Sequence, residues 1–227
     1  MPRPLIDDRR GRLLRAAGEL IVERGWPRTT IADVATKAGV GKGAVYLEFP
    51  TKTALLDALV RERTKALTAR VRERVTASID PVDLAAVYRF AAEALLDDQL
   101  MSALYLGDEA VLGSHVAEID DGRYQERFVW LTDYAHELQA AGVVDSRVQA
   151  ADLVRVLSVF TIGLLHAARV FGQIGSAELS STITLFGELV ARGLSTSTPT
   201  DHEAARRAQL GLLDALDGQL HKLEARA

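Results

Sequence analysis

Thr30-Ile31-Ala32-Asp33-Val34-Ala35-Thr36-Lys37-Ala38-Gly39-Val40-Gly41-Lys42-Gly43-Ala44-Val45-Tyr46-Leu47-Glu48-Phe49 is the run of residues that decides the fold. Thr30 stands before Ile31 with Asp33 three residues on, the pattern of a capping box with the shorter acid. The helix it opens ends at Gly39, where a left-handed backbone suits glycine. A short second helix, about Lys42 to Glu48, stops before Pro50, because proline disfavours helix in the residue preceding it. Two helices that cross steeply need a small residue at the crossing, and Ala35 supplies it four residues before the turn. Val34, Val40 and Val45 lock the pair inward. Lys42, Gly43, Ala44 and Tyr46 are left facing outward, and small residues at Gly41, Gly43 and Ala44 allow close backbone approach. In a helix-turn-helix the second helix enters the major groove and its first residues meet base edges.

Three other readings of the stretch compete with this one. Gly39-x-Gly41-x-x-Ala44 satisfies a relaxed dinucleotide-binding fingerprint, but that motif follows a strand, and residues 30–38 read as helix. A P-loop fails because Gly43 follows Lys42 where Ser or Thr is required. A helical hairpin without a ligand fits the spacing but leaves the charge unexplained.

Working outward, apolar residues recur with helical period almost everywhere. Leu13, Leu14, Ala17, Leu20 and Ile21 precede a stop at Gly25. Thr51 reads as the cap of a long helix carrying Leu55, Leu56 and Leu59, through Val75. Further helices are expected around Leu84–Leu95, Leu100–Val116, and Tyr124–Leu138, the last ending at Gly142. Segment 151–171 is apolar almost all round, and Leu179, Ile183, Phe186 and Val190 mark another helix. Ser195 to Thr200 reads as a linker, with Asp201 capping a last helix bearing Leu213, Leu216, Leu220 and Leu223. Period-two alternation is missing. The class is all-α.

The 227 residues, 48% hydrophobic and 26% charged, are ample for a real core and argue against wholesale disorder. With no cysteine, disulfides, thiolate catalysis and cysteine-ligated zinc are excluded. The first residues lack an apolar signal core. The best membrane candidate, Val156 to Leu165, falls well short of the roughly 20 residues a span needs. A soluble, cytoplasmic protein without membrane contact is expected. Residues 1–52 hold 10 Lys and Arg against 6 Asp and Glu, a net +4, while the remainder holds 17 against 25, a net −8. A basic head on an acidic body is the asymmetry expected when only the head meets a polyanion.

Residues 9–60 resemble the amino-terminal DNA-binding domain of the tetracycline-repressor (TetR) family of bacterial transcriptional regulators. Glu23-Arg24-Gly25-Trp26, Thr29 to Ala35, Gly39 to Gly43, Val45-Tyr46 and Phe49-Pro50-x-Lys52-x-x-Leu55 carry the resemblance. It implies a three-helix head, residues 1–53 with the motif at about 30–49. A helical effector-binding and dimerisation domain follows at 54–195, and the linker and extra helix at 196–227 exceed the usual family length. It also implies that Thr30, Lys42, Tyr46 and Lys52 reach phosphates or base edges of double-stranded DNA, and that Phe49 packs beneath the recognition helix. Leu47 and Glu48 depart from the family, in which histidine or tyrosine is common there. Arg3, Arg9 and Arg10 are candidates for added phosphate or minor-groove contacts, with a solvated tail as the alternative reading.

Two sites are expected in the body. Val156, Phe160, Gly163 and Ala167, with Leu179, Ile183, Phe186 and Val190, would form a four-helix seam between two copies. Tyr88, Met101, Tyr105, Phe128, Trp130, Tyr134, Phe160 and His166 are the candidate pocket for a small, largely apolar effector. The five histidines are scattered without metal-ligand spacing, and neither a nucleophile elbow nor a carboxylate pair stands out. No metal, cofactor or enzymatic activity is expected. The reading is a homodimeric repressor on a near-palindromic operator, nucleoid-associated when bound and released by its effector. The alternatives are a protein-interaction module with a vestigial head, or a regulator without an effector.

Overall fold

The computed structural model describes residues 8–78, 84–105, 123–172, 174–194, 196 and 199–225. These residues form ten α-helices and no strand. They are α1 (Arg9–Arg24), α2 (Ile31–Ala38), α3 (Lys42–Glu48), α4 (Lys52–Ala77), α5 (Leu84–Leu96), α6 (Gln99–Tyr105), α7 (Arg123–Ala140), α8 (Ala150–Phe171), α9 (Ser176–Leu194) and α10 (His202–Ala225). The helix expected over Leu100–Val116 is seen as α6, and residues 106–122 lie outside the described ones.

Local chemistry places the ends of the head helices. The Thr30 hydroxyl accepts from the Asp33 amide at 3.2 Å, and the Asp33 carboxylate accepts from the Thr30 amide at 2.9 Å, closing the capping box. Gly39 ends α2 at φ 67°, and the Val40 amide returns to the Ala35 carbonyl at 2.9 Å. The Thr51 side chain accepts from the Ala54 amide at the start of α4. Asp8, itself in a left-handed backbone at φ 57°, caps α1 by accepting from the Gly11 amide, and a β-carbon at residue 11 would collide with that carboxylate. The sequence pattern held no hint of that cap.

The head has one core: Leu13, Ala17 and Ile21 of α1, Val34 and Ala35 of α2, Val45 of α3, Phe49, and Leu55, Leu56 and Leu59 of α4. Because α4 is one unbroken 26-residue helix, the head extends into it as far as Leu59, beyond the boundary expected at residue 53. The far half of α4 belongs to the body, where Val71 and Val75 pack with Ala94 and Leu213.

In the body α5 packs against α9, α7 against α8, and α10 against both α4 and α7. The last helix is therefore part of the body's core. Ala205, Ala208, Leu213 and Leu220 are buried, and Arg72 of α4 pairs with Asp214 at 2.8 Å and Asp217 at 2.9 Å.

The α6 helix joins the two halves. Asp98, almost fully buried, caps it by accepting from the amides of Leu100 and Met101, both at 3.1 Å. The same carboxylate meets Arg63 of α4 at 3.2 Å. Leu100 inserts into the core of the head, whereas Met101 packs with Ala92, Leu95, Leu179 and Ile183 of the body. An open cleft of about 350 Å³ runs beside this joint, edged by Glu19, Arg63, Arg70 and Asp97.

Candidate nucleic-acid interface

The interface follows from which face of α3 the core consumes. Val45 is fully buried, and Phe49, buried just beyond the helix, supports it from below. At 3.6 residues per turn, burying Val45 turns Gly43 and Leu47 to the opposite side. Gly41, Lys42, Gly43 and Tyr46 are exposed, as is Leu47. A β-carbon at Gly41 or Gly43 would meet nothing within 4 Å. Gly41 has an ordinary extended backbone at φ −76°. Among the described residues nothing requires glycine at either position, so α3 has a smooth start open to an external partner. Thr30 is exposed one motif earlier, its hydroxyl held 2.6 Å from the Asp33 carboxylate. Ala44 is half-buried.

Charge is arranged around that face. Lys42 lies 5.9 Å from the Tyr46 ring, on the same flank of the helix. Lys52 is partly tucked in: its ammonium donates to the Trp26 carbonyl at 2.9 Å and sits 4.2 Å over the Trp26 ring. Burial pushes its pKa down. It thereby ties the α1–α2 connection to the first turn of α4. The Asp33 carboxyl is held below its usual range by the hydrogen bonds from Thr30, with Arg24 adding a smaller effect.

Glu48, where the sequence departs from its family, is not a bare negative charge. Arg9 donates to it through Nε at 2.8 Å and through Nη2. Arg10 is also engaged, its guanidinium 4.7 Å over the Phe49 ring. These two arginines, expected as possible DNA contacts, brace the far end of α3, and Arg3 lies outside the described residues. Arg12, which sequence reasoning missed, donates to the Ala38 carbonyl at the end of α2. Its spacing from α2 carries no periodic signal.

The expected seam residues divide. Leu179 and Ile183 are buried within the subunit against α5 and Met101, and Val190 is half-buried against the α7–α8 core. Those three are therefore internal, because the strongest apolar stripe of α9 is used by its own body. The outward apolar residues of α9 are Leu185 and Leu189. On α8, Val156, Val159 and Ile162 are exposed, Gly163 is open, and Ala167 is half-buried. Phe160 and Phe186 stack face to face, ring centroids 3.5 Å apart, at the junction of the two helices.

The expected effector residues fall in separate places. Met101 packs in the α5–α9 cluster, while Tyr134 and Phe128 pack with Leu138 and Leu153. Trp130 is half-buried on α7. The side chains of Tyr88, Tyr105 and His166 lie outside the described residues. Among the described residues no group of acids and histidines could hold a metal ion, and no helix is long and apolar enough to cross a membrane.

Known proteins resemble the chain in sequence and in fold. Residues 13–59 match the family described as bacterial regulatory proteins, tetR family. The HTH-type transcriptional repressor KstR2 of Mycobacterium tuberculosis is 30% identical over 129 residues, covering 56% of this chain and 64% of the repressor. The HTH-type transcriptional regulator CymR of Pseudomonas putida is 33% identical over 128 residues, covering 53% of this chain and 63% of that protein. The chain thus spans just under two thirds of the length of these relatives. A solved TetR-family transcriptional regulator from Pectobacterium atrosepticum shares the fold, with a TM-score of 0.61 at 18% identity, over 88% of this chain and 100% of that one. Over residues 13–59 the chain is therefore similar to the tetR family of bacterial regulatory proteins, and over its length it shares the fold of a solved member.

Proposed function

We propose that the protein is a homodimeric transcriptional regulator, a repressor that binds a near-palindromic operator and leaves it when a small molecule occupies the body. The observation that carries the reading is α3 itself. It is an outward helix with two unencumbered glycines at its start, a lysine and a phenol on one flank, and a rigidly capped helix behind it. Thr30, Lys42, Tyr46 and Lys52 would take phosphates while Gly41, Gly43 and Ala44 let the backbone approach the groove. Such a protein works in the cytoplasm, on the nucleoid.

The dimer reading is supported by the exposed apolar residues of α8 and α9, since contiguous apolar surface marks an interface. Two copies related by a two-fold axis would present two recognition helices one helical turn apart, about 34 Å, or a multiple of it. Release is supported by α6, whose consecutive residues Leu100 and Met101 pack into the head and the body respectively. A ligand that favours a shifted α6 would change the separation of the heads, and a few ångströms forfeit one set of contacts.

The test is an electrophoretic shift with the DNA upstream of the protein's own gene, repeated across a salt series. Binding that weakens steeply with salt supports the reading. Indifference to that DNA and to random duplexes at low ionic strength would favour the protein-interaction alternative. A thermal-shift screen with apolar small molecules addresses the effector, because a ligand that binds only the folded state raises Tm.

A further inference from the structure

We propose that Leu47 reads a thymine in the operator through its C5-methyl group, an inference that rests on the DNA-binding reading above. The argument is positional. Leu47 and Gly43 each stand two residues from the buried Val45, roughly 200° around the helix, on the meridian that points directly away from the core. Gly43 contributes no side chain there and has open space around it. Leu47, 79% exposed, is thus the side chain that projects furthest along that line. Its flanks are assigned to other work: Lys42 and Tyr46 on one side, Glu48 on the other, engaged by Arg9.

A scattered exposed leucine needs no explanation, but one on the outward line of a helix laid in the groove meets base edges. Nearly every group a base pair offers in the major groove is a hydrogen-bond donor or acceptor. An aliphatic side chain set against one of these removes its water and returns nothing. The thymine methyl is the exception, because both apolar surfaces leave water together. The position therefore favours thymine and disfavours bases without that methyl.

The test uses the full chain and a library of random-sequence duplexes. Duplexes enriched by the wild type are resynthesised with deoxyuridine replacing one thymidine at a time, which deletes the methyl and keeps the pairing. At one thymine or its symmetry mate the wild type should lose roughly three- to fivefold in affinity, the scale of one apolar carbon returned to water. Leu47→Ala should bind the thymine and uracil duplexes equally, and Leu47→Met should restore the difference. Low ionic strength keeps the weaker variant measurable. Equal affinity for thymine and uracil at every position in the wild type, or a difference that survives in Leu47→Ala, overturns the proposal. Failure of the wild type to enrich any duplex overturns the DNA-binding reading and the proposal with it.

Discussion

Arg9 and Glu48 are joined by a two-nitrogen grip, Arg9 Nε and Nη2 both donating to Glu48 Oε1, across 39 residues of sequence. The pair ties the first turn of α1 to the last of α3, so the recognition helix is held at its far end by charge and beneath by Phe49. It also means that the acidic residue beside the outward surface of α3 is neutralised within the subunit. Glu48→Ala should therefore leave folding nearly intact, at a loss of about 0.5–1 kcal/mol for a partly exposed pair. It should also free Arg9 and steepen the salt dependence of DNA binding by about one unit of slope. An unchanged slope would show that Arg9 stays away from phosphates even when released.

Lys42 and Lys52 should separate cleanly. Lys42→Ala should weaken DNA binding and lower the salt slope by about one with Tm unchanged, since Lys42 is exposed and its ammonium lies 5.9 Å from the Tyr46 ring. Lys52→Ala should do both: it removes the bond to the Trp26 carbonyl and the stacking over its ring. A loss near 1–2 kcal/mol corresponds to a Tm about 3–6 °C lower for a chain of this size. Equal Tm for the two variants would contradict the geometry.

The capping box makes a pH prediction. The folded state holds the Asp33 carboxyl below its ordinary pKa, so as pH falls the unfolded chain takes up this proton first. The stabilisation is complete above about pH 4, the unfolded value, and disappears as pH drops through the lower folded value. Thr30→Ala, costing about 1 kcal/mol at neutral pH, should cost less at pH 3 and below. Chemical unfolding at a series of pH values measures this, and a pH-independent cost would count against it.

For the seam, Val159→Glu combined with Leu189→Glu should yield monomers in sedimentation velocity with helicity unchanged, since both side chains are exposed in the subunit. Ile183→Ala should act differently, destabilising the fold by about 2–5 kcal/mol because it opens a cavity between α5 and α9. Dimers persisting in the double variant would place the interface elsewhere.

Removing residues 200–227 should expose Val71 and Val75, which pack with Leu213, and strip Arg72 of both its acids. A chain cut there should bind the dye ANS and lose its cooperative thermal transition. Retained cooperativity would mark α10 as dispensable.

The head was legible because its information is local. The capping box at Thr30 and Asp33, the left-handed turn at Gly39 and the cap at Thr51 all act within a few residues, so spacing alone locates them. Leu179 and Ile183 were harder. Their stripe marks α9 as amphipathic, but an apolar face reads the same whether it meets α5 or a second copy. The Arg9–Glu48 pair was invisible for a related reason, as residues 39 apart share no period.

What the sequence alone determined is the all-α class, the helix-turn-helix and its outward glycines, through short-range steric and hydrogen-bonding rules. Tertiary structure decided the rest: that Leu59 still belongs to the head, that α10 closes the body, and that Arg9 cancels Glu48. Those outcomes depend on which surfaces meet once helices pack, and burial is a property of pairs of distant segments rather than of any one.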